Sequence, residues 1–296
     1  MRIVVLGCNG MVGFELCRSL LPLGGVIALD RAKADLSTPS SLAEAVDALE
    51  PDVIVNAAAY TEVDRAETDG ETADRVNGEA VASLANLAAR RGALLIHYST
   101  DYVFDGTGDL PWNEGDATSP VNAYGSSKLL GERALAASSA DWLCIRTSWV
   151  YASRGKNFVR TILRLAGERE ELKVIDDQHG APTSARNLAD VTAHVIAGAL
   201  RERREKNFTS ALLHYAPAGT TTWHGVAVEA LAVARSASPT RDFPTRRILP
   251  IATSEYPTPA RRPANSRLST QHIQERFGIA PVDWRVALRL CIEEMT

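Results

Sequence analysis

Near its start the chain runs from four apolar residues, Ile3-Val4-Val5-Leu6, straight into Gly7-Cys8-Asn9-Gly10-Met11-Val12-Gly13. A β-branched run bounded by glycine is strand material. Glycines at this spacing permit a tight turn, a close backbone approach and contact between the strand and a following helix. The turn aims the first N–H groups of that helix at whatever lies above the strand, and a pyrophosphate is the natural guest. The spacing is G-x-x-G-x-x-G rather than G-x-G-x-x-G, so alone the motif is a weak signal.

The pattern of the next hundred residues strengthens it. Candidate strands at residues 3–7, 26–30, 53–56, 94–99 and 142–146 alternate with amphipathic stretches at 10–21, 41–49, 73–91 and 126–137. The β-α-β-α order predicts an α/β fold with a doubly wound parallel (Rossmann) sheet. From about Val150 the pattern changes: 157–168 reads as helix, 173–175 as strand and 185–200 as a second long helix, with the charged run 201–207 as its solvated end. We expect the dinucleotide domain to comprise residues 1–149 and 176–216, and a smaller substrate-binding region to comprise 150–175 and 217–296. Three prolines within residues 256–263 forbid a regular helix there, so the stretch around Arg261 and Arg262 is read as an ordered loop over the site.

The chain has 296 residues, 45% hydrophobic and 23% charged, with a formal net charge of −4. That length suits a core plus a second, smaller part, and no basic run points to nucleic acid or a membrane surface. Cys8, Cys17, Cys144 and Cys291 show no C-x-x-C spacing, which favours free thiols in a reducing cytoplasm. No segment reaches about 18 uninterrupted apolar residues, so no membrane partner is expected.

The second strand ends at Asp30, where a carboxylate can meet an adenosine ribose 2′-hydroxyl. Arg31 follows, and its guanidinium suits a 2′-phosphate instead, so NADH and NADPH both stay open. The third strand runs into Asn56-Ala57-Ala58-Ala59-Tyr60-Thr61, whose small residues let a cofactor pass close to the backbone. Tyr124 and Lys128 are four residues apart and share a helix face. A cation near a phenol lowers its pKa, which makes Tyr124 a workable acid or base for a carbonyl oxygen. The fourth strand delivers Thr100 to the same edge of the sheet, where ligands of such folds bind.

Together with residues 55–64, 99–106, 146–151 and 260–268, these features resemble the extended short-chain dehydrogenase/reductase family along essentially the whole chain. The resemblance implies a catalytic set of Thr100, Tyr124 and Lys128, with Lys128 also on the nicotinamide ribose. It implies a nucleotide-activated 6-deoxy-4-keto sugar as substrate and NAD(P)H reduction of dTDP-4-dehydro-L-rhamnose at C4, supplying dTDP-L-rhamnose for polysaccharide. Asp101, Tyr102 and Trp149 would then line the sugar, with Tyr151 or Asn157 close by, and Arg261 and Arg262 would take the diphosphate. Related dehydratases carry an acidic pair after the threonine; here Asp101 is followed by Tyr102, which favours net reduction. The resemblance further implies a homodimer. In some relatives Mg²⁺ joins the subunits; Glu15 is available for it, but Arg186 stands where a second carboxylate is expected, which speaks against a metal. Another nucleotide keto-sugar reductase, an epimerase and a non-catalytic regulatory subunit remain as alternatives.

Overall fold

A computed structural model describes every residue except Arg241 and Thr296. β1 (Arg2–Leu6) leads through the glycine turn into α1 (Met11–Ser19), then β2 (Gly25–Leu29), α2 (Pro39–Asp47) and β3 (Val53–Asn56). After β3 come two short helices, α3 (Val63–Ala66) and α4 (Gly70–Asp74), and then α5 (Ala80–Arg91), β4 (Leu94–Thr100), α6 (Ala123–Ala136) and β5 (Asp141–Thr147). The amphipathic run expected over residues 73–91 is therefore not one helix: a π-helical turn, Arg75–Glu79, joins α4 to α5.

The remainder comprises α7 (Phe158–Ala166), β6 (Glu171–Ile175), the short β7 (His179–Gly180), α8 (Ala185–Glu205), β8 (Ala211–His214) and the short β9 (Thr221–Thr222). It ends with α9 (Trp223–Ala237), β10 (Arg247–Ile251), α10 (Gln271–Phe277) and α11 (Trp284–Glu293). Sequence periodicity singles out neither β8 nor any helix after α8. The charged run after residue 200 does continue α8, as far as Glu205.

Six parallel strands form the main sheet in the order β2-β1-β3-β4-β5-β8, the doubly wound arrangement that the alternating pattern requires. Strands covered on both faces read as continuous apolar runs, and β3 is buried at all four positions. Alternate residues feed two cores. Val4, Leu6, Ile54 and Leu95 pack with Leu42, Val46, Leu84 and Leu135 of α2, α5 and α6. Ile3, Val5, Val53, Val55 and Ile96 pack with Leu16 of α1, Leu188 and Ile196 of α8 and Ile273 of α10. A third core gathers α7, β6, α9 and α11 around Ile162, Val174, Ala230 and Trp284. It abuts the carboxyl edge of the sheet through residues 148–152 and 178–184, where Tyr151 N–H donates to Thr183 O at 3.0 Å.

Candidate active site

The glycine turn has the predicted shape. Gly7 N–H and Cys8 N–H both donate to Leu29 O, at 2.9 and 3.2 Å, and Gly10 N–H donates to Gly7 O at 2.9 Å. Gly7 sits at φ +76°, and a Cβ there would lie 2.8 Å from Ala58 N. A Cβ on Gly13 would lie 2.1 Å from Gly7 O. Both positions therefore exclude a side chain, and α1 starts at Met11 and Val12 with no side-chain cap on its first turn. Those uncapped N–H groups and the positive end of the helix dipole face the carboxyl edge of β1. Asn9 is exposed beside them.

Asp30 stands at the end of β2, where its Oδ1 accepts from Lys33 N–H at 3.2 Å. Arg31 is open to solvent and pairs with Asp35 at 3.3 Å. Ala58 and Ala59 lie half-buried across from the turn, with Thr61 exposed beyond them. Tyr60 is held by its backbone: Asn77 accepts from Tyr60 N–H at 2.9 Å and donates to Tyr60 O at 3.0 Å and to Ser127 Oγ at 2.9 Å. The π-helical turn carries Asn77, which thereby ties the β3 loop to α6. Nothing in the periodicity singles it out.

At the end of β4, the Thr100 hydroxyl donates to Asp101 Oδ1 at 3.2 Å and accepts from Tyr102 N–H at 3.2 Å. Tyr124, in the first turn of α6, lies with its ring edge-on to Tyr102 at 5.7 Å. Burial pushes its phenol up to about 12, the Asp101 charge adds to this, and a hydrogen bond with Thr100 offsets part of it. Lys128 does not lower it. Its Nζ donates to Tyr98 O at 2.6 Å and faces His97 Nε2 at 3.3 Å, and burial brings its own ammonium down to about 8. Lys128 Nζ is thus engaged at β4, by the packing of α6 on that strand. Tyr124 is a fully protonated phenol at neutral pH, the form a proton donor needs.

Asp101 is buried, and its Oδ2 has no hydrogen-bond partner. Burial raises its carboxyl to about 7 despite hydrogen bonds from Ser266 and Thr100. Ser266 belongs to the loop after β10, which is ordered as expected. Ser266 N–H donates to His179 O at 2.7 Å, and Asn265 N–H donates to Gly106 O at 2.9 Å. Asn122 caps α6 by accepting from Gly125 N–H at 2.8 Å, and it donates to Arg261 O at 2.8 Å. One side chain therefore positions both the helix carrying Tyr124 and the loop above it.

Packing engages four of the residues expected at the substrate. Tyr151 is 1% exposed within the third core and its hydroxyl has no partner, so it does not face the cleft. Asn157 caps α7, accepting from Arg160 N–H and donating to Ala152 O at 2.9 Å, and so it shapes the 152–157 loop. The guanidinium of Arg262 is already engaged by Asp64, with one contact at 2.7 Å. Of the two arginines, Arg261 is the exposed one. Trp149 is half-buried at φ 51°, a conformation uncommon for a bulky residue. It stacks on Trp223 with centroids 3.9 Å apart. Trp223, which the sequence pattern does not single out, donates from Nε1 to Gln178 Oε1 at 3.1 Å. Together the two indoles form an aromatic wall.

Over residues 1–296 the chain matches the family described as RmlD substrate binding domain. It is 56% identical to a dTDP-4-dehydrorhamnose reductase of Burkholderia thailandensis, covering 100% of this chain and 99% of that protein. The chain belongs to the dTDP-4-dehydrorhamnose reductase family. Among solved structures, the reductase ortholog of Clostridium acetobutylicum superposes with a TM-score of 0.88 at 32% identity, covering 100% of this chain and 99% of that one. The enzyme of Bacillus anthracis, solved in complex with NADP, superposes with a TM-score of 0.87 at 28% identity, with 99% of each chain covered.

A bridging Mg²⁺ does not fit this member of the family. Glu15 is buried between two guanidiniums, Arg18 at 3.3 Å and Arg186 at 3.6 Å, and Arg186 also pairs with Glu294. A cation at Glu15 would sit against these positive charges. Among the described residues no group of three acidic, histidine or cysteine side chains is arranged to hold a metal ion.

Proposed function

We propose that this protein is an NAD(P)H-dependent dTDP-4-dehydrorhamnose reductase that reduces the C4 carbonyl of dTDP-4-dehydro-L-rhamnose to dTDP-L-rhamnose. The observation that carries the reading is the meeting of Thr100 and the protonated Tyr124 at the carboxyl edge of a dinucleotide-type sheet, in a chain of this family. Reduced nicotinamide, when bound, supplies the hydride. Thr100 orients the carbonyl oxygen by its hydroxyl, and Tyr124 donates its proton to that oxygen as it gains negative charge, general acid catalysis worth about 10²–10⁴-fold. The backbone of Gly10, Met11, Val12 and Gly13 takes the pyrophosphate, with Ala58 and Ala59 opposite, while Asp30 and Arg31 meet the adenosine ribose. Lys128 serves the nicotinamide ribose. Trp149 and Tyr102 flank the sugar, and Arg261 is the guanidinium available for the substrate diphosphate.

In this reading residues 1–149 and 176–216 bind the dinucleotide, and 150–175 with 217–296 bind the sugar nucleotide. The protein works in the cytoplasm. Its four cysteines are free, and among the described residues no helix is long and apolar enough to cross a membrane. It acts as a homodimer. Leu290 of α11, 52% exposed beside Glu15 and Arg186, offers an apolar face for a second copy.

The test is consumption of reduced nicotinamide absorbance when purified protein meets NADPH or NADH and a freshly generated dTDP-4-dehydro-6-deoxy-L-sugar. Oxidation that requires the sugar, and that chelator leaves unchanged, is the expected result. Cofactor binding without oxidation would overturn the assignment.

A further inference from the structure

β4 reads Leu94-Leu95-Ile96 and then His97, an imidazole in a strand buried on both faces. A buried polar ring requires partners on both nitrogens, and His97, 1% exposed, has them. On one side Asn56, at the end of β3, lies with Nδ2 3.2 Å from His97 Nδ1. On the other, His97 Nε2 lies 3.3 Å from Lys128 Nζ. The orientation of the Asn56 amide is set independently, because its Oδ1 accepts from Ala58 N–H at 3.2 Å. That leaves only the donor Nδ2 to face His97.

The hydrogen bonds then propagate in one sense. An amide NH₂ can only donate, so Nδ1 must accept and carries no proton. A neutral imidazole with a bare Nδ1 carries its proton on Nε2. That N–H points at Lys128 Nζ, and an ammonium has no lone pair to receive it. A free amine has one, and it can still donate to Tyr98 O at 2.6 Å. The network is internally satisfied only with neutral His97 and neutral Lys128.

We propose that His97 is a positioning residue for the catalytic lysine: held by Asn56 as its Nε2–H tautomer, it docks the free-amine form of Lys128 against β4. A lysine docked in that form must take up a proton from solvent to meet the dinucleotide as an ammonium. This last step rests on the reading of Lys128 as the lysine of the nicotinamide ribose; the tautomer of His97 does not.

The surroundings favour the neutral imidazole and bring the free amine of Lys128 within reach in mildly alkaline solution. Burial holds His97 well below the ordinary imidazole range, reinforced by the Lys128 charge. Burial brings Lys128 down to about 8, against the pull of Cys144 on β5 and Glu132 on α6. The carboxylate of Glu132 is taken up by Arg146, at 2.6 Å, which leaves His97 and the Tyr98 carbonyl as the partners within reach.

Two measurements test this on the whole protein. The first is ¹⁵N chemical shifts of histidine-labelled free protein, with the His97 signal identified by its absence in His97→Phe. Nδ1 should appear unprotonated and Nε2 protonated. In Asn56→Asp, whose carboxylate accepts at Nδ1, the tautomer should reverse. A protonated Nδ1 in the natural protein would overturn the proposal. The second is the Kd of NADP⁺ followed through pH 8. It should be flat below that pH and rise up to tenfold per unit above it, as one proton is taken up on binding. The break should move upward in His97→Phe, which removes the donor that stabilises the amine, and vanish in Lys128→Met. A reversed tautomer would refute the docking of the amine. The expected tautomer with a pH-independent Kd would refute instead the role of Lys128 at the dinucleotide.

Discussion

At the end of β1 the chain presents backbone alone: two glycines whose Cβ positions are occupied by neighbouring main chain, and a helix start with no side-chain cap. Two strands away, at the end of β4, the cleft wall consists of side chains. Thr100, Asp101 and Lys128 are buried and mutually hydrogen-bonded or bonded to the strand itself. The first wall can recognise only what any anion offers and suits a cofactor common to many enzymes. The second holds titratable groups whose proton affinities burial has shifted, which is where chemistry is done. If this division is sound, damage to one wall should affect binding and damage to the other should affect turnover.

The strongest separation comes from Tyr124→Phe. The ring keeps its packing against Tyr102 and the proton is lost, so turnover should fall by about 10²–10⁴-fold with the Kd for NADPH unchanged. A parallel loss of dinucleotide affinity would erase the division. Next is Glu132→Ala, beneath the side-chain wall. Glu132 and Arg146 are 4% and 2% exposed and paired at 2.6 Å. Removing one partner leaves a buried guanidinium uncompensated, at about 3–5 kcal/mol in denaturant unfolding.

How far each wall is legible in the sequence depends on the same contrast. The glycine turn, the first five strands of the sheet and the placing of Thr100 and Tyr124 at one edge depend on local spacing and on the alternation of strands and helices, whereas β8 carries no such signal. Tyr151 and Arg262 escape a sequence reading because their fate depends on distant chain: one is enclosed by α7, α9 and α11, the other meets Asp64, 198 positions away. Tyr124 and Lys128 do share a helix face, yet only the packing of α6 on β4 decides that the lysine reaches His97 first. A signal for His97 does exist, namely a lone imidazole in a strand otherwise apolar on both faces. Its partner requires knowing that β3 lies beside β4 in register, Asn56 opposite His97.

Asp101 gives the side-chain wall a signature in pH. Its carboxyl, ordinarily at 3.8, keeps its proton up to about 7 in the fold. Between those values the unfolded chain has released a proton that the folded chain retains. The contribution to stability is therefore full below 3.8 and is lost as pH rises through 7, by at most about 1.4 kcal/mol per unit. Thermal unfolding of Asp101→Asn should lack this decline. If natural and substituted proteins follow the same curve, the carboxyl is not held protonated. On the backbone wall, Gly13→Ala forces a methyl against Gly7 O. It should cost about 1–3 kcal/mol of stability and weaken NADPH binding, while turnover at saturating NADPH stays close to that of the natural protein.

The smallest change probes the seam between the walls and the loop above them. Asn122 does two things with two atoms: Oδ1 caps α6 and Nδ2 holds Arg261 O. Asn122→Ala removes both, costing about 1 kcal/mol for the cap and releasing the loop that carries Arg261. Asn122→Asp keeps an acceptor for the cap and removes the donor, and aspartate is as good a cap as asparagine. Its stability should match the natural protein to within a few tenths of a kcal/mol, measured by denaturant unfolding, while its KM for the sugar nucleotide rises as in Asn122→Ala and kcat is preserved. A KM unchanged in Asn122→Asp would mean that the loop is positioned by Asp64 and Ser266 without Asn122. The diphosphate contact would then belong to a part of the cleft that holds its shape independently of the helix carrying Tyr124.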